Sequence, residues 1–212
     1  MIKRIEVEKR GGKEMKLRVE EIYYLATRVL SGERLTHTLG VADWAEKLAV
    51  HHSLDPVKAR CAGLAHDLAK EISKKDQLSL ARRWNLLYYP EDEQFPYVLH
   101  GRLAAYWLEN YYRVEETDVL AAVANHTLGR PEMSPLEMLI YSADLTEPNR
   151  DFPEVDKLRQ SLYDDLEKGT FDCVEGTLRY LRKSNQSIHP LTQLTYEDLQ
   201  RRQTIGTRSE KA

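Results

Sequence analysis

The sequence holds only 2 cysteines in 212 residues, Cys61 and Cys173, and they are too far apart to form a CxxC pair. A dithiol redox motif and a closed thiolate zinc site are therefore not available to it. Cys61 falls in an Ala/Leu-rich stretch and reads as a small buried hydrophobe. No run of the chain reaches the ~20 apolar residues of a membrane span, and the N-terminus lacks the apolar core of a secretory signal. The expected setting is the cytoplasm, where thiols stay reduced, with no membrane partner. Charge of one sign is also lacking: 31 Lys and Arg against 34 Asp and Glu leave a net charge of −3. That balance has no basic surplus for non-specific nucleic-acid binding, and its acidic excess is too small for disorder. Repeats, low-complexity tracts and the alternating pattern of strands are absent as well.

What is present is helical periodicity nearly throughout. Leu17, Ile22, Leu25 and Val29 recur at helical spacing before Ser31-Gly32, and His37, Val41, Trp44, Ala45, Leu48 and Ala49 mark a second helix. Asp55-Pro56 pairs an N-cap with a proline at the first helical turn, opening a run over 57–69. Ser73 and Asp76 start a helix through Trp84, and the acidic, proline-bearing segment 85–96 reads as a long loop. Helices are expected over 97–112, 118–126 and 135–143, the last announced by the capping box Ser134-Pro135-Leu136-Glu137. Two more are expected over 155–167 and 171–183, and a short polar one after Thr192. The expected architecture is all-α: one domain over 17–196, with an N-terminal extension 1–16 and a polar tail 197–212. A domain of this size hides roughly 70% of its unfolded surface, enough for a sizeable core.

Metal-binding residue types stand at particular places on this frame: His37, His66-Asp67, His100, His126 and Asp144. Imidazole nitrogen with carboxylate oxygen suits iron, manganese, zinc or related divalent ions. His66-Asp67 closes the apolar run Ala62-Gly63-Leu64-Ala65, so two polar groups fall where a core helix reaches its buried end. A buried aspartate needs a counter-charge, and a cation supplies one. On a helix the two would point about 100° apart, so they converge on one ion only along the seam between them, with His37 and Asp144 supplied by neighbouring helices. Lys70, one turn on, is placed to pair with Asp67 or to reach a phosphate. Singly, each has an ordinary reading: a lone histidine is a satisfied or exposed side chain, Asp67-Lys70 a surface ion pair, His51-His52 a solvated helix end. The conjunction is what carries weight, together with the second apolar run ending in Ala143-Asp144.

The order His37, His66-Asp67-x-x-Lys70, Asp144 resembles that of HD-domain phosphohydrolases. Longer words resemble one branch, the YqeK-like symmetrical diadenosine tetraphosphate hydrolases: Arg34-Leu35-Thr36-His37-Thr38-Leu39-Gly40-Val41, Ala62 through Lys70, Leu99-His100-Gly101, His126-Thr127-Leu128-Gly129, Met133-Ser134 and Ala143 through Arg150. The resemblance covers roughly residues 20–195. It implies that His37, His66, Asp67 and Asp144 bind a divalent ion, iron foremost, with manganese, cobalt and zinc as alternatives. It implies that His100 and His126 hold a second ion or face the substrate phosphates. Asp67, Lys70, His100 and His126 are then the catalytic group, and Arg34, Lys70, Thr127 and Arg150 contact phosphate or nucleotide. The stretch Ser187-Ile188-His189-Pro190-Leu191-Thr192 resembles the segment that closes over the nucleotide; its ordinary reading is a helix-ending turn before proline. The implied substrate is a dinucleoside polyphosphate, cut into two ADP when it is diadenosine tetraphosphate. The competing readings are a nucleotidase acting on other nucleotides and a non-catalytic nucleotide sensor, and the extension and tail leave room for a homodimer.

Overall fold

The structure is a computed structural model that describes residues 18–209; the expected extension 1–16 lies outside the described residues. The helices are α1 (Val19–Val29), α2 (Gly32–His51), α3 (Pro56–Ala65), α4 (Lys74–Arg83), α5 (His100–Tyr112), α6 (Thr117–Asn125), α7 (Pro135–Thr146), α8 (Val155–Asp164), α9 (Leu166–Lys183) and α10 (Pro190–Ser209). Short 3-10 turns fill Pro90–Gln94 and Pro96–Val98, and no strand occurs among the described residues. The all-α expectation holds.

Local chemistry sets several helix starts. The Asp55 carboxylate accepts the N–H groups of Val57 (2.9 Å) and Lys58 (3.1 Å), satisfying donors that α3 leaves free at its first turn. At α7 the Ser134 hydroxyl accepts the Glu137 N–H and Glu137 accepts the Ser134 N–H, the reciprocal bonds of a capping box. Arg130 and Asn125 also donate to Glu137, so the turn between α6 and α7 is tied to the start of α7.

α7 is the central helix. Every residue from Leu136 to Ala143 is buried, because α2, α3, α6, α8 and α9 all pack against it. Truncating Leu139, fully buried there, would cost about 2–5 kcal/mol. α2 and α3 cross closely at Gly63, where an added Cβ would lie 2.7 Å from the Ala42 Cα. That approach brings the His37 and His66 rings to 5.4 Å.

Five sequence expectations change. α3 ends at Ala65, so His66 is its C-cap and Asp67 lies in the following turn rather than on the helix. The loop 85–96 is ordered around Asp92, a fully buried acid. α9 begins at Leu166, because Asp165 adopts an extended backbone and caps it through the Lys168 N–H. α10 is not short: it runs 20 residues from Pro190, across the expected domain–tail boundary, and its Thr195 hydroxyl bonds the Leu128 carbonyl. His51 and His52 are not merely solvated either, since their Nε2 atoms contact the Tyr163 and Leu162 carbonyls at 2.7 Å and tie the end of α2 to the end of α8.

Candidate metal centre

Helix ends converge on one point. His37 comes from the second turn of α2, His66 caps α3, His100 opens α5, His126 caps α6, and Asp144 stands near the end of α7. Asp67 follows His66 in the turn. His66, His100 and Asp67 are almost wholly buried, as is His126. The ligand atoms of three overlapping triplets each lie within 4.8 Å of one another: His37, His66 and Asp67; His66, His126 and Asp144; Asp67, His100 and His126.

The outer hydrogen bonds decide which nitrogen each imidazole presents. Nδ1 of His66 faces the Gly63 carbonyl (2.7 Å), that of His100 the Tyr97 carbonyl (3.0 Å), and that of His126 the Val123 carbonyl (2.8 Å). Nδ1 of His37 faces the Glu147 carboxylate (3.2 Å). Carbonyls and carboxylates only accept, so Nδ1 carries the proton and a neutral ring presents its Nε2 lone pair inward. Metal-binding histidines are oriented in this way.

Inside the cluster two of those lone pairs lack donors. Nε2 of His37 and Nε2 of His66 are buried without a hydrogen-bond partner; the Asp144 Oδ1 lies 2.9 Å from the former but off the hydrogen-bond direction. The Nε2 atoms of His100 and His126 face each other at 3.0 Å, and Asp67 Oδ1 is 3.1 Å from the first of them. Burial drives His126 down to about 3, assisted by the charges of His100 and His66, and burial lowers His100 as well. Asp67 and Asp144 stay ionised: burial raises both, but His66 and His100 outweigh it at Asp67, as His37 and His66 do at Asp144. At His66 the neighbouring Asp67 outweighs burial and raises the imidazole, and a divalent cation would take the place of that proton. Imidazole lone pairs turned inward beside ionised carboxylates fit a divalent metal set of nitrogen and oxygen ligands.

Cations rim the centre. Arg34 Nη1 is 2.7 Å from Asp67 Oδ2, Lys70 Nζ 3.2 Å from His100 Nε2 and 3.9 Å from Asp67 Oδ1, and Arg150 Nη2 3.0 Å from Asp144 Oδ1. Their side chains are 36%, 33% and 40% exposed, against 2% for Asp67, so the positive groups face outward over a buried floor. Burial lowers Lys70 more than Asp67 and Asp144 raise it. The Thr127 hydroxyl lies 3.0 Å from His126 Nε2, within the same group.

The segment 187–192 is placed differently. Ser187 is exposed, Ile188 half-buried and Thr192 buried at the start of α10, where its N–H bonds the His189 carbonyl. His189 is 2% exposed; its Nε2 faces Asp92 Oδ1 (3.1 Å) and its Nδ1 accepts the Leu191 N–H (3.1 Å). With both nitrogens engaged, the ring has none free for a phosphate. The structure thus gathers His37, His66, Asp67, Lys70, His100, His126, Thr127, Asp144, Arg34 and Arg150, and leaves the His189 ring in a second cluster. Sequence reasoning missed Glu147 as the partner of His37 and Asp92 as the partner of His189; an acid directly before Pro148 was the only local signal for the first.

A helical domain with such a cluster of helix-end imidazoles and carboxylates has the donor set to hold a divalent metal ion. Residues 34–149, from Arg34 to just beyond Glu147, match the HD domain family. The chain is 37% identical to the symmetrical bis(5'-nucleosyl)-tetraphosphatase of Halalkalibacterium halodurans, over 80% of this chain and 90% of that protein. It is 36% identical to the protein of the same name from Bacillus subtilis, over 84% and 95%. The crystal structure of a predicted HD superfamily hydrolase involved in NAD metabolism from Clostridium acetobutylicum superposes with a TM-score of 0.83 at 33% identity, covering 87% of this chain and 98% of that one. The chain belongs to the HD-domain family, in the branch of the symmetrical bis(5'-nucleosyl)-tetraphosphatases.

Proposed function

We propose that this protein hydrolyses dinucleoside tetraphosphates symmetrically, adding water across the central anhydride to release two nucleoside diphosphates. The observation that carries the reading is the pair of buried, donor-free Nε2 atoms of His37 and His66 beside the Asp67 and Asp144 carboxylates, beneath the three rim cations. We assign His37, His66, Asp67 and Asp144 to a divalent ion, iron foremost from the resemblance to HD-domain phosphohydrolases, with His100 and His126 beside Asp67 for a second ion or for phosphate; the thiolate-free nitrogen and oxygen set suits iron, manganese, cobalt and zinc alike. A bound divalent ion supplies charge neutralisation and activation of water near neutral pH.

The chain's own groups do the rest. Asp67, ionised and held by Arg34, orients the attacking water. Lys70, Arg150 and Arg34 stabilise charge developing on the phosphoryl oxygens. Water attacks an inner phosphorus, the bond from that phosphorus to the central bridging oxygen breaks, and the bridging oxygen leaves with the second diphosphate. Anion-exchange analysis of a diadenosine tetraphosphate digest tests the assignment: ADP alone is expected. AMP with ATP in equal amounts would refute the symmetrical cut, and an undigested substrate with metal-loaded protein would refute the hydrolase.

A further inference from the structure

Of the four imidazoles in the centre, three are held at Nδ1 by backbone carbonyls one turn back in their own segments. His37 alone is held by a side chain, Glu147, which lies 110 residues away. We infer that Glu147 is a positioning residue that fixes the tautomer and direction of His37 and thereby sets the centre's metal affinity. The inference rests on the metal reading above.

The surroundings hold this carboxylate in place. Glu147 is 2% exposed. One oxygen faces His37, and the other accepts the Asn149 backbone N–H (2.7 Å) and the Asn149 side-chain amide (3.0 Å). Its own carbonyl, with those of Thr146 and Arg150, is gripped by the Arg159 guanidinium from α8 at 2.9 Å each. The turn after α7 is therefore fixed at three carbonyls, and Glu147 cannot drift without breaking that clamp. Space is reserved on the other side: a Cβ at Gly40, three residues after His37, would lie 2.6 Å from the Glu147 Oε2. Gly40 thus has a reason to be glycine that helix propensity opposes, since any side chain there would displace the carboxylate.

The chemistry follows from the arrangement. A carboxylate on Nδ1 accepts that proton, leaves Nε2 as the lone pair, and makes the imidazole more basic toward a cation. The orphaned Nε2 of His37 is the atom so presented. Histidine partners of this kind change metal affinity by about 10–100-fold when removed.

The test uses the full chain, stripped by chelator and titrated anaerobically with Co2+ against a competing chromophoric chelator, with the visible absorption of bound Co2+ and the melting temperature recorded. Glu147→Ala is expected to weaken Co2+ binding about 10–100-fold and to alter the Co2+ absorption. Glu147→Gln keeps an acceptor oxygen without the charge and is expected to recover part of the loss. Gly40→Ala retains the carboxylate and displaces only its flexible end, so it should keep the fold and still weaken Co2+; it decides the matter if Glu147→Ala does not fold. Wild-type Co2+ affinity and absorption in Glu147→Ala, or in Gly40→Ala, would overturn the inference and leave the metal reading intact. No Co2+ binding by the unaltered chain would overturn both.

Discussion

Two buried clusters in this protein are built from the same residue types and behave as opposites. Around Asp67, histidines, carboxylates and arginines meet, and the Nε2 lone pairs of His37 and His66 find no donor. Around Asp92 the same chemistry closes on itself. Asp92 accepts the N–H groups of Tyr88 and Tyr89, pairs with Arg102 at 2.6 Å and faces His189, and His189 accepts the Leu191 N–H that α10 presents at its first turn. Buried polar groups are normally satisfied, so a satisfied cluster reads as structure and an unsatisfied, convergent one as a place reserved for a ligand. Burial alone would not have told them apart: Asp92 is 0% exposed and Asp67 2%. The Asp92 cluster still serves the other indirectly. Its loop leads through Phe95 and Val98, packed with Leu128 and Leu191, to the Tyr97 carbonyl that orients His100.

Cutting one carboxylate from each cluster tests that contrast most severely. Asp67→Ala should abolish tight metal binding and lower turnover on the order of 10³-fold or more, while the metal-free variant keeps the melting temperature of the metal-free parent. Metal quantification with calorimetry checks this; a variant that melts far lower but retains its metal would reverse the two roles.

Asp92→Ala should do the converse. It leaves Arg102, 6% exposed, without its counter-charge, a loss of about 3–5 kcal/mol in stability, with Co2+ affinity of the folded protein unchanged. The acid limb of stability gives a second readout. Burial raises Asp92, but Arg102 and the Tyr89 and Tyr88 N–H groups outweigh it and hold the carboxyl below its ordinary 3.8. Burial lowers His189 from its ordinary 6.5 more than Asp92 raises it. Both groups bind protons more weakly folded than unfolded, so both add stability at higher pH. The His189 contribution is complete above 6.5 and is lost as pH falls below that value, and that of Asp92 is lost below 3.8. Denaturant unfolding across pH 2–7 should show that Asp92→Ala lacks the parent's loss below 3.8 and keeps or deepens the loss below 6.5, because Asp92 no longer raises the His189 imidazole.

The smallest expected effect is at the rim. Arg150 reaches Asp144 through two contacts, from Nε to the carbonyl and from Nη2 to Oδ1. A lysine cannot reproduce that fork or grip a phosphate with two bonds. Arg150→Lys should weaken nucleotide binding or turnover about ten-fold, with metal content and melting temperature little changed. Loss of metal together with activity would show that Arg150 belongs to the floor and not to the rim.

Much of this was legible in the chain. The sequence by itself determined that the protein is helical, where α3 and α7 begin, and which words carry His37, His66-Asp67, His100, His126 and Asp144. Those features rest on interactions spanning a few residues, such as Asp55 to Lys58 or Ser134 to Glu137, which a linear reading can follow. Tertiary structure alone decided which nitrogen each imidazole turns inward, that α3 stops before His66, and that α10 is long. It also separated His189 from the histidines of the centre and gave His37 its carboxylate. Those outcomes hang on groups that meet across 97 residues, as His189 and Asp92 do, or across 110, as His37 and Glu147 do. At such separations a histidine's chemistry depends on what the returning chain sets against it, and residue type does not reveal that.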